Sequence, residues 1–292
     1  MPPLAIDCGS GGTRVFRLLD AGVERLPWPD GEKAPVLSHI LASADGRAAF
    51  AAAVSKLPSD DIFVGATAGV RHALDSGAAS PADIEALRTL LPAGASLELL
   101  SPLDEARFEL AALRRQRPGC SAAMLSMGGK SMQLGSEGRL VSLPFAMHLG
   151  HDLLKADEGT TFSDTVGRAA QAYAVAAASA IAAQKLEPLG GLVVGVTDVM
   201  DVAEPLGLVD QPPLLAPELV VRLESLVAEL RKSGGPGDLS RSSLHLLARA
   251  LALAAVARTL LAPTATLIFP SAVRVSWTEG YFVSGRPGRE SE

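Results

Sequence analysis

The sequence predicts a mixed α/β protein built as two similar lobes, and three observations carry that reading. In residues 4 to 19 an apolar run ends at Asp7, small residues follow at Gly9, Ser10, Gly11 and Gly12, and Thr13-Arg14-Val15-Phe16-Arg17-Leu18 resumes with polar and apolar residues alternating. That pattern is strand, tight turn, strand: a β-hairpin whose tip has almost no side chains. Residues 122 to 135 repeat the plan, with Ser126-Met127-Gly128-Gly129-Lys130-Ser131 at the turn and Met132-Gln133-Leu134 after it. Two such hairpins in one chain predict two lobes with a cleft between them. Finally, 292 residues that are 48% hydrophobic suffice for two cores of ordinary size.

Taken in order, a first lobe is expected over residues 1–140. Strands fit 3–8, 13–19, 36–40, 61–65, 96–101 and 122–127. Helices fit 45–55, 81–91 and 103–115, the second capped by Ser80 with Pro81 in its first turn. Residues 63–71, Phe-Val-Gly-Ala-Thr-Ala-Gly-Val-Arg, read as a strand entering a small-residue turn that carries Thr67 and Arg71, then a helix. A second lobe is expected over 141–285, led in by strands at 131–136 and 139–145 and completed by strands at 191–196 and 266–270. Its helices fit 148–156, 165–184 (opened by Ser163 or Asp164), 198–206, 216–232 and 240–261. The stretch 233–237 has the composition of a surface loop, and 286–292 that of a frayed tail.

The charge balance narrows the partners. A net charge of -6 gives no general attraction to nucleic acid or to an anionic membrane, so an anionic ligand has to be held by local groups. The longest apolar stretch, 244–261, is interrupted by His245, Arg249 and Arg258 and reads as a buried helix rather than a membrane span. Only two cysteines occur, Cys8 and Cys120, too few for a disulfide framework. With Met1-Pro2-Pro3 leading straight into the first strand, a cytoplasmic location is expected.

The chemistry starts at the glycine-rich tips. Without side chains, successive backbone N–H groups at Ser10, Gly11, Gly12 and at Gly128, Gly129 can converge on one anion, and a phosphate fits. Asp7 ends the first strand with a hard oxygen of the kind that Mg²⁺ or Ca²⁺ accepts beside phosphate oxygens. Each hairpin alone is equally compatible with an ordinary turn. Thr13, Arg14, Thr67 and Arg71 are candidates for the phosphate side, having hydroxyls and guanidinium forks suited to terminal oxygens, although either arginine can serve as a structural ion-pair partner instead. Asp104 and Glu105 open a helix, where the helix dipole and capping already account for one carboxylate. His148 and His151 lie three apart, but with no third ligand at suitable spacing they read as a surface pair.

Five segments together resemble the GDA1/CD39 nucleoside phosphatases, or apyrases: DCGSGGTR (7–14), GATAGVR (65–71), SPLDEARFEL (101–110), LSMGGKSMQL (125–134) and VSWTEGYF (275–282). They occur in that family's order and span nearly the whole chain. More distantly the sequence resembles the exopolyphosphatases and guanosine pentaphosphatases, which share the first hairpin and the acidic segment. The resemblance implies a two-lobed actin-like (ribonuclease H-like) α/β fold with mixed sheets and a central cleft. It implies Glu105 as the general base for an attacking water, and Ser131 with Gln133 as the groups that position that water. It implies phosphate contacts from Ser10 to Arg14, from Thr67, Ala68 and Arg71, and from Gly128 and Gly129. It places Trp277 near the site and a Mg²⁺ or Ca²⁺ ion on Asp7 and the residue at 126. There the family carries an aspartate and this chain Ser126, while Lys130 replaces a small residue and can neutralise phosphate charge, plug the site or point to solvent.

Three functions from different classes follow. The first is a metal-dependent hydrolase releasing terminal phosphate from nucleoside tri- or diphosphates. The second is an impaired relative that binds nucleotide or phosphate without turnover, and the third an exopolyphosphatase or guanosine-pentaphosphatase-like hydrolase. Nucleic-acid and membrane partners are not expected.

Overall fold

The computed structural model describes residues 2–19, 22–154, 161–232, 239–273 and 275–284. The expected loop at 233–237 and the tail at 286–292 lie outside the described residues. Two compact units account for the chain: Met1–Gln116 with Ser276–Glu292, and Arg117–Val275.

In the first unit β1 (Leu4–Gly9), β2 (Gly12–Leu19) and β3 (Gly22–Leu26) form an antiparallel meander. Two short helices follow, α1 (Leu37–Ile40) and α2 (Ala44–Val54), before β4 (Ile62–Ala66) pairs parallel to β1. Next come α3 (Ala68–Asp75), α4 (Pro81–Leu90), β5 (Ala95–Leu99), parallel to β4, and α5 (Pro102–Gln116). The sheet order is β3-β2-β1-β4-β5. Ser80 caps α4 through a complete capping box with Asp83, as its sequence predicts. The sheet face carrying Leu4, Ile6, Val15 and Val64 shares one apolar core with Phe50 of α2.

The second unit repeats the arrangement. β6 (Ala123–Met127), β7 (Met132–Ser136) and β8 (Arg139–Leu143) form the meander. After α6 (Met147–Leu153) and α7 (Phe162–Gln184), β9 (Leu192–Thr197) pairs parallel to β6. α8 (Met200–Ala203), β10 (Leu214–Leu215), α9 (Ala216–Lys232), α10 (Arg241–Thr259) and β11 (Thr266–Ile268) complete it. Its order, β10-β11-β9-β6-β7-β8, contains the same meander-plus-parallel plan as the first sheet. The two hairpins that predicted paired lobes are therefore equivalent strands of two mixed sheets. The chain ends by returning α11 (Trp277–Ser284) to the first unit.

Three expectations need correction. Residues 36–40 form the helix α1 instead of a strand, because Leu37 and Leu41 fill one side of the first core and the four-residue spacing that joins them is helical. α7 begins earlier than Ser163 or Asp164 as cap, since Thr161 accepts from the Asp164 amide. The units also divide at residues 116/117 and 275/276, not at 140. β6 pairs with β7 and β9 and so belongs to the second sheet, while α11 is drawn into the first unit by aromatic packing. There Phe63 stacks on Tyr281 with ring centroids 3.8 Å apart, and Phe108 meets the same ring edge-on at 5.6 Å. Gly280 allows this approach: a Cβ there would lie 1.6 Å from the carbonyl oxygen of Phe108. α10 is the buried helix expected, its Arg249 and Arg258 paired with Asp198 and Glu224. Among the described residues no helix is long and apolar enough to cross a membrane.

Candidate active site

In the first unit the β1–β2 register sets Asp7 opposite Arg14 and Cys8 opposite Thr13, with Ser10 and Gly11 as the turn. Gly12 has φ 151°, a conformation that strains any residue with a Cβ. The segment Gly65–Arg71 packs onto this tip, and its glycines show why. A Cβ on Gly69 would lie 2.8 Å from the Cα of Ser10, and one on Gly65 would lie 2.2 Å from the Trp277 ring. The helix α3 can therefore start against the hairpin, and the indole can slide under β4.

The indole reaches Asp7. Trp277 Nε1 donates to Asp7 Oδ1 at 3.1 Å, and Arg14 donates to Oδ2 at 3.4 Å. Burial nonetheless raises the Asp7 pKa above its usual range, Arg14 and the indole opposing the shift. Thr13 donates its hydroxyl proton to the carbonyl of Pro35 at 2.5 Å, and Thr67 donates its own to the carbonyl of Cys8 at 3.2 Å. Both hydroxyls are thus already engaged as donors, so the donors left for an anion at this tip are backbone amides, the Ser10 hydroxyl and Arg14.

Asp104 and Glu105 take separate tasks. Asp104 and Ser101 form a reciprocal cap at the start of α5, each side chain bonding the other's amide. Glu105, with 13% of its side chain exposed, accepts from Arg71 at 2.6 Å. Arg71 also bonds the carbonyl of Leu100, which fixes its guanidinium between strand end and helix start. Burial pushes the Glu105 carboxyl up to about 7; Arg71 opposes this, and the nearby charges of Asp7 and Asp104 add to it. Asp7, Arg14, Trp277, Arg71 and Glu105 form one cluster, and the pairing of Arg71 with Glu105 is a contact that sequence reading did not anticipate.

The second unit carries a neutral network on its equivalent hairpin. Gln133 donates to Ser131 Oγ at 2.8 Å, bringing together the two residues expected to position water. The turn is pinned where the Gly128 amide bonds the Ser131 carbonyl at 2.9 Å and the His148 amide bonds the Gly129 carbonyl at 2.8 Å. His148 is half-buried, and the His151 side chain lies outside the described residues. Ser126, 1% exposed, shares a hydrogen bond of 2.8 Å with Thr197 Oγ1. Thr197 also accepts from the Met127 amide at 3.0 Å and holds φ 55°, a left-handed conformation rare for a β-branched residue. Its position at the end of β9 gives no signal in the sequence.

These donors do not fit a protein-built cation site. Both Asp7 oxygens accept from nitrogen donors, the Ser126 hydroxyl is committed to Thr197, and among the described residues no three His, Cys, Asp or Glu side chains group as metal ligands. The two cysteines are both free thiols, Cys8 buried within the first hairpin.

Solved structures share this architecture. A Ppx/GppA family member from Aquifex aeolicus superposes with a TM-score of 0.64 at 15% identity, covering 97% of each chain. The fold is Ppx/GppA-like. An exopolyphosphatase from Cytophaga hutchinsonii matches at 0.59 and 14% identity over 98% of this chain and 99% of that one. An exopolyphosphatase-like protein matches at 0.59 and 15% over the same shares. At such identities the likeness is one of fold: two mixed-sheet domains of the actin-like kind. No protein-family model matches the chain, and no curated protein matches its sequence.

Proposed function

We propose that the protein is a phosphohydrolase that removes a terminal phosphate from a phosphoanhydride by direct attack of water, with a linear polyphosphate as the favoured substrate class. The observation that carries this reading is Glu105: a buried carboxyl with its pKa near 7, ion-paired at 2.6 Å to an arginine and electrostatically coupled to the aspartate of a glycine-tipped hairpin. A base near neutrality suits proton abstraction at ordinary pH, because it is both available and strong enough. In this reading the tip amides from Ser10 to Gly12 hold non-bridging oxygens, and Arg14 offsets their charge. A water beside Glu105 is the nucleophile. Its oxygen bonds to the terminal phosphorus, its proton passes to Glu105, and the bridging P–O bond breaks to leave the shortened chain with the electron pair.

The fold likeness to exopolyphosphatases supports this class over the apyrase-like one. A nucleoside tri- or diphosphate remains the second substrate reading, favoured by the close contacts of Gly65 with Trp277 and Gly69 with Ser10, which give the apyrase-like segment a physical role beside the hairpin. The test is phosphate release from inorganic polyphosphate, nucleoside triphosphates and nucleoside diphosphates, with and without Mg²⁺ or Ca²⁺. Turnover of polyphosphate that disappears in Glu105→Gln is the expected result. Binding without turnover of any substrate would replace the enzyme by a phosphate-binding protein.

A further inference from the structure

The reaction just described leaves unused a cavity of about 450 Å³ beside the first hairpin. It is lined by Gly12 and Arg14 from β2, Arg25 from β3, and Trp28, Glu32 and Lys33 from the segment that follows. β3 is an edge strand, and its register sets Arg25 opposite Phe16. Arg14, two residues before Phe16, is therefore the diagonal neighbour of Arg25 on the same face. Nearby cations are already neutralised: Arg17 pairs with Glu24 at 2.5 Å, and Lys56 with Asp30. Arg25 and Lys33 differ. Both are exposed, and among the described residues neither forms an ion pair or a side-chain hydrogen bond. The lining holds three cations, Arg14, Arg25 and Lys33, against the one carboxylate of Glu32.

We propose that this cavity is a subsite for the distal phosphates of an extended polyphosphate chain. Arg25 and Lys33 are its cations, and Arg14, which also contacts Asp7, joins it to the reacting phosphate; the proposal rests on the phosphohydrolase reading above. A repeating inorganic anion needs positive charge on flexible stems more than it needs shape. A nucleoside would need an aromatic face for its base. Trp28 does not offer one, because it is 8% exposed and packs on Phe50 with ring centroids 5.5 Å apart. The rest of the lining is aliphatic or glycine apart from Thr13, whose hydroxyl bonds the carbonyl of Pro35.

The experiment compares wild type with the double variant R25A/K33A, whose exposed positions leave the cores intact, as a thermal melt verifies. Phosphate release is measured on tripolyphosphate, ATP and a polyphosphate of many tens of units, and long-chain binding is measured separately in an E105Q background. The expected result is a rise of about tenfold in KM for the long chain, the combined effect of two exposed charges, with kcat and the two short substrates unchanged. Affinity for the long chain should also become less sensitive to salt. Reversal in R25E/K33E should enlarge the loss. Wild-type turnover with unchanged long-chain KM and binding in the variants overturns the subsite and leaves the hydrolase standing. An equal loss for ATP overturns its assignment to extended chains. If wild type hydrolyses nothing yet binds long polyphosphate, and R25A/K33A does not, the subsite stands and the hydrolase falls. Failure of wild type to bind the long chain at all overturns the subsite.

Discussion

The two glycine-tipped hairpins occupy equivalent places in sheets of the same plan and differ in their electrostatics. The β1–β2 hairpin is charged: Asp7, Arg14 and the pair Arg71–Glu105 surround it in a largely buried setting that drives carboxyl pKa values upward. The β6–β7 hairpin carries Lys130 at its tip, but its buried polar side chains are neutral: Ser126 bonds Thr197, and Gln133 bonds Ser131. The difference teaches that the hairpin plan supplies only a place for an anion to meet backbone amides. What happens to that anion depends on which titratable groups the neighbouring helices and loops deliver.

The largest effect expected is on the charged side. Glu105→Gln should lower the rate of phosphate release by at least about 10²-fold while substrate affinity, measured by equilibrium binding, stays within a few-fold. A near-wild-type rate would remove Glu105 from the role of base. The pH profile sharpens the point. Because the base must be ionised, kcat/KM should rise with pH through about 7 and fall away below it. Arg71→Ala removes a group that lowers the Glu105 pKa, so the midpoint of that rise should move to higher pH.

Two glycines separate the hairpins by packing. Gly69→Ala places a Cβ 2.8 Å from the Cα of Ser10, forcing backbone to shift, and should cost about 1–3 kcal/mol in denaturant unfolding. Gly128→Ala meets no atom closer than 3.6 Å and should change stability by about 0.5 kcal/mol or less. Equal effects would mean that the first tip is not held by α3 as described.

Ser126→Asp asks whether this buried position tolerates the charge that the apyrase resemblance places there. With 1% exposure and no cationic side chain among its hydrogen-bond partners, the new carboxylate should destabilise the protein by about 1–3 kcal/mol, read as a lowered thermal midpoint. Stabilisation by added Mg²⁺ that wild type does not share would instead reveal a cation site at this hairpin. A change that removes no charge is Gln133→Ala. Loss of its buried 2.8 Å bond to Ser131 should cost about 1 kcal/mol, read as a lowered thermal midpoint, and leave the pH midpoint of the rate in place.

Much of this was legible in the chain. Glycine at positions 9, 11, 12, 128 and 129 between alternating strands determines two hairpins, since only such tips turn tightly and leave amides open. Ser80-Pro81 determines the start of a helix through local capping chemistry, and the 48% hydrophobic content determines that two cores can form. These are short-range effects, set by neighbours within a few residues. Other features needed the fold. Residues 37–40 are helical because the first core lies beside them, and β3 escaped notice because its half-buried residues lack a clear alternation. Trp277 reaches Asp7 across 270 positions of sequence, through a gap left by the missing side chain of Gly65. The pairing of Arg71 with Glu105 and the left-handed Thr197 beside Ser126 likewise depend on elements distant in the chain. Sequence determined which groups were available for chemistry; burial and long-range contact decided their protonation, their partners and their reach, because desolvation and Coulomb energies depend on spatial distance and not on position along the chain.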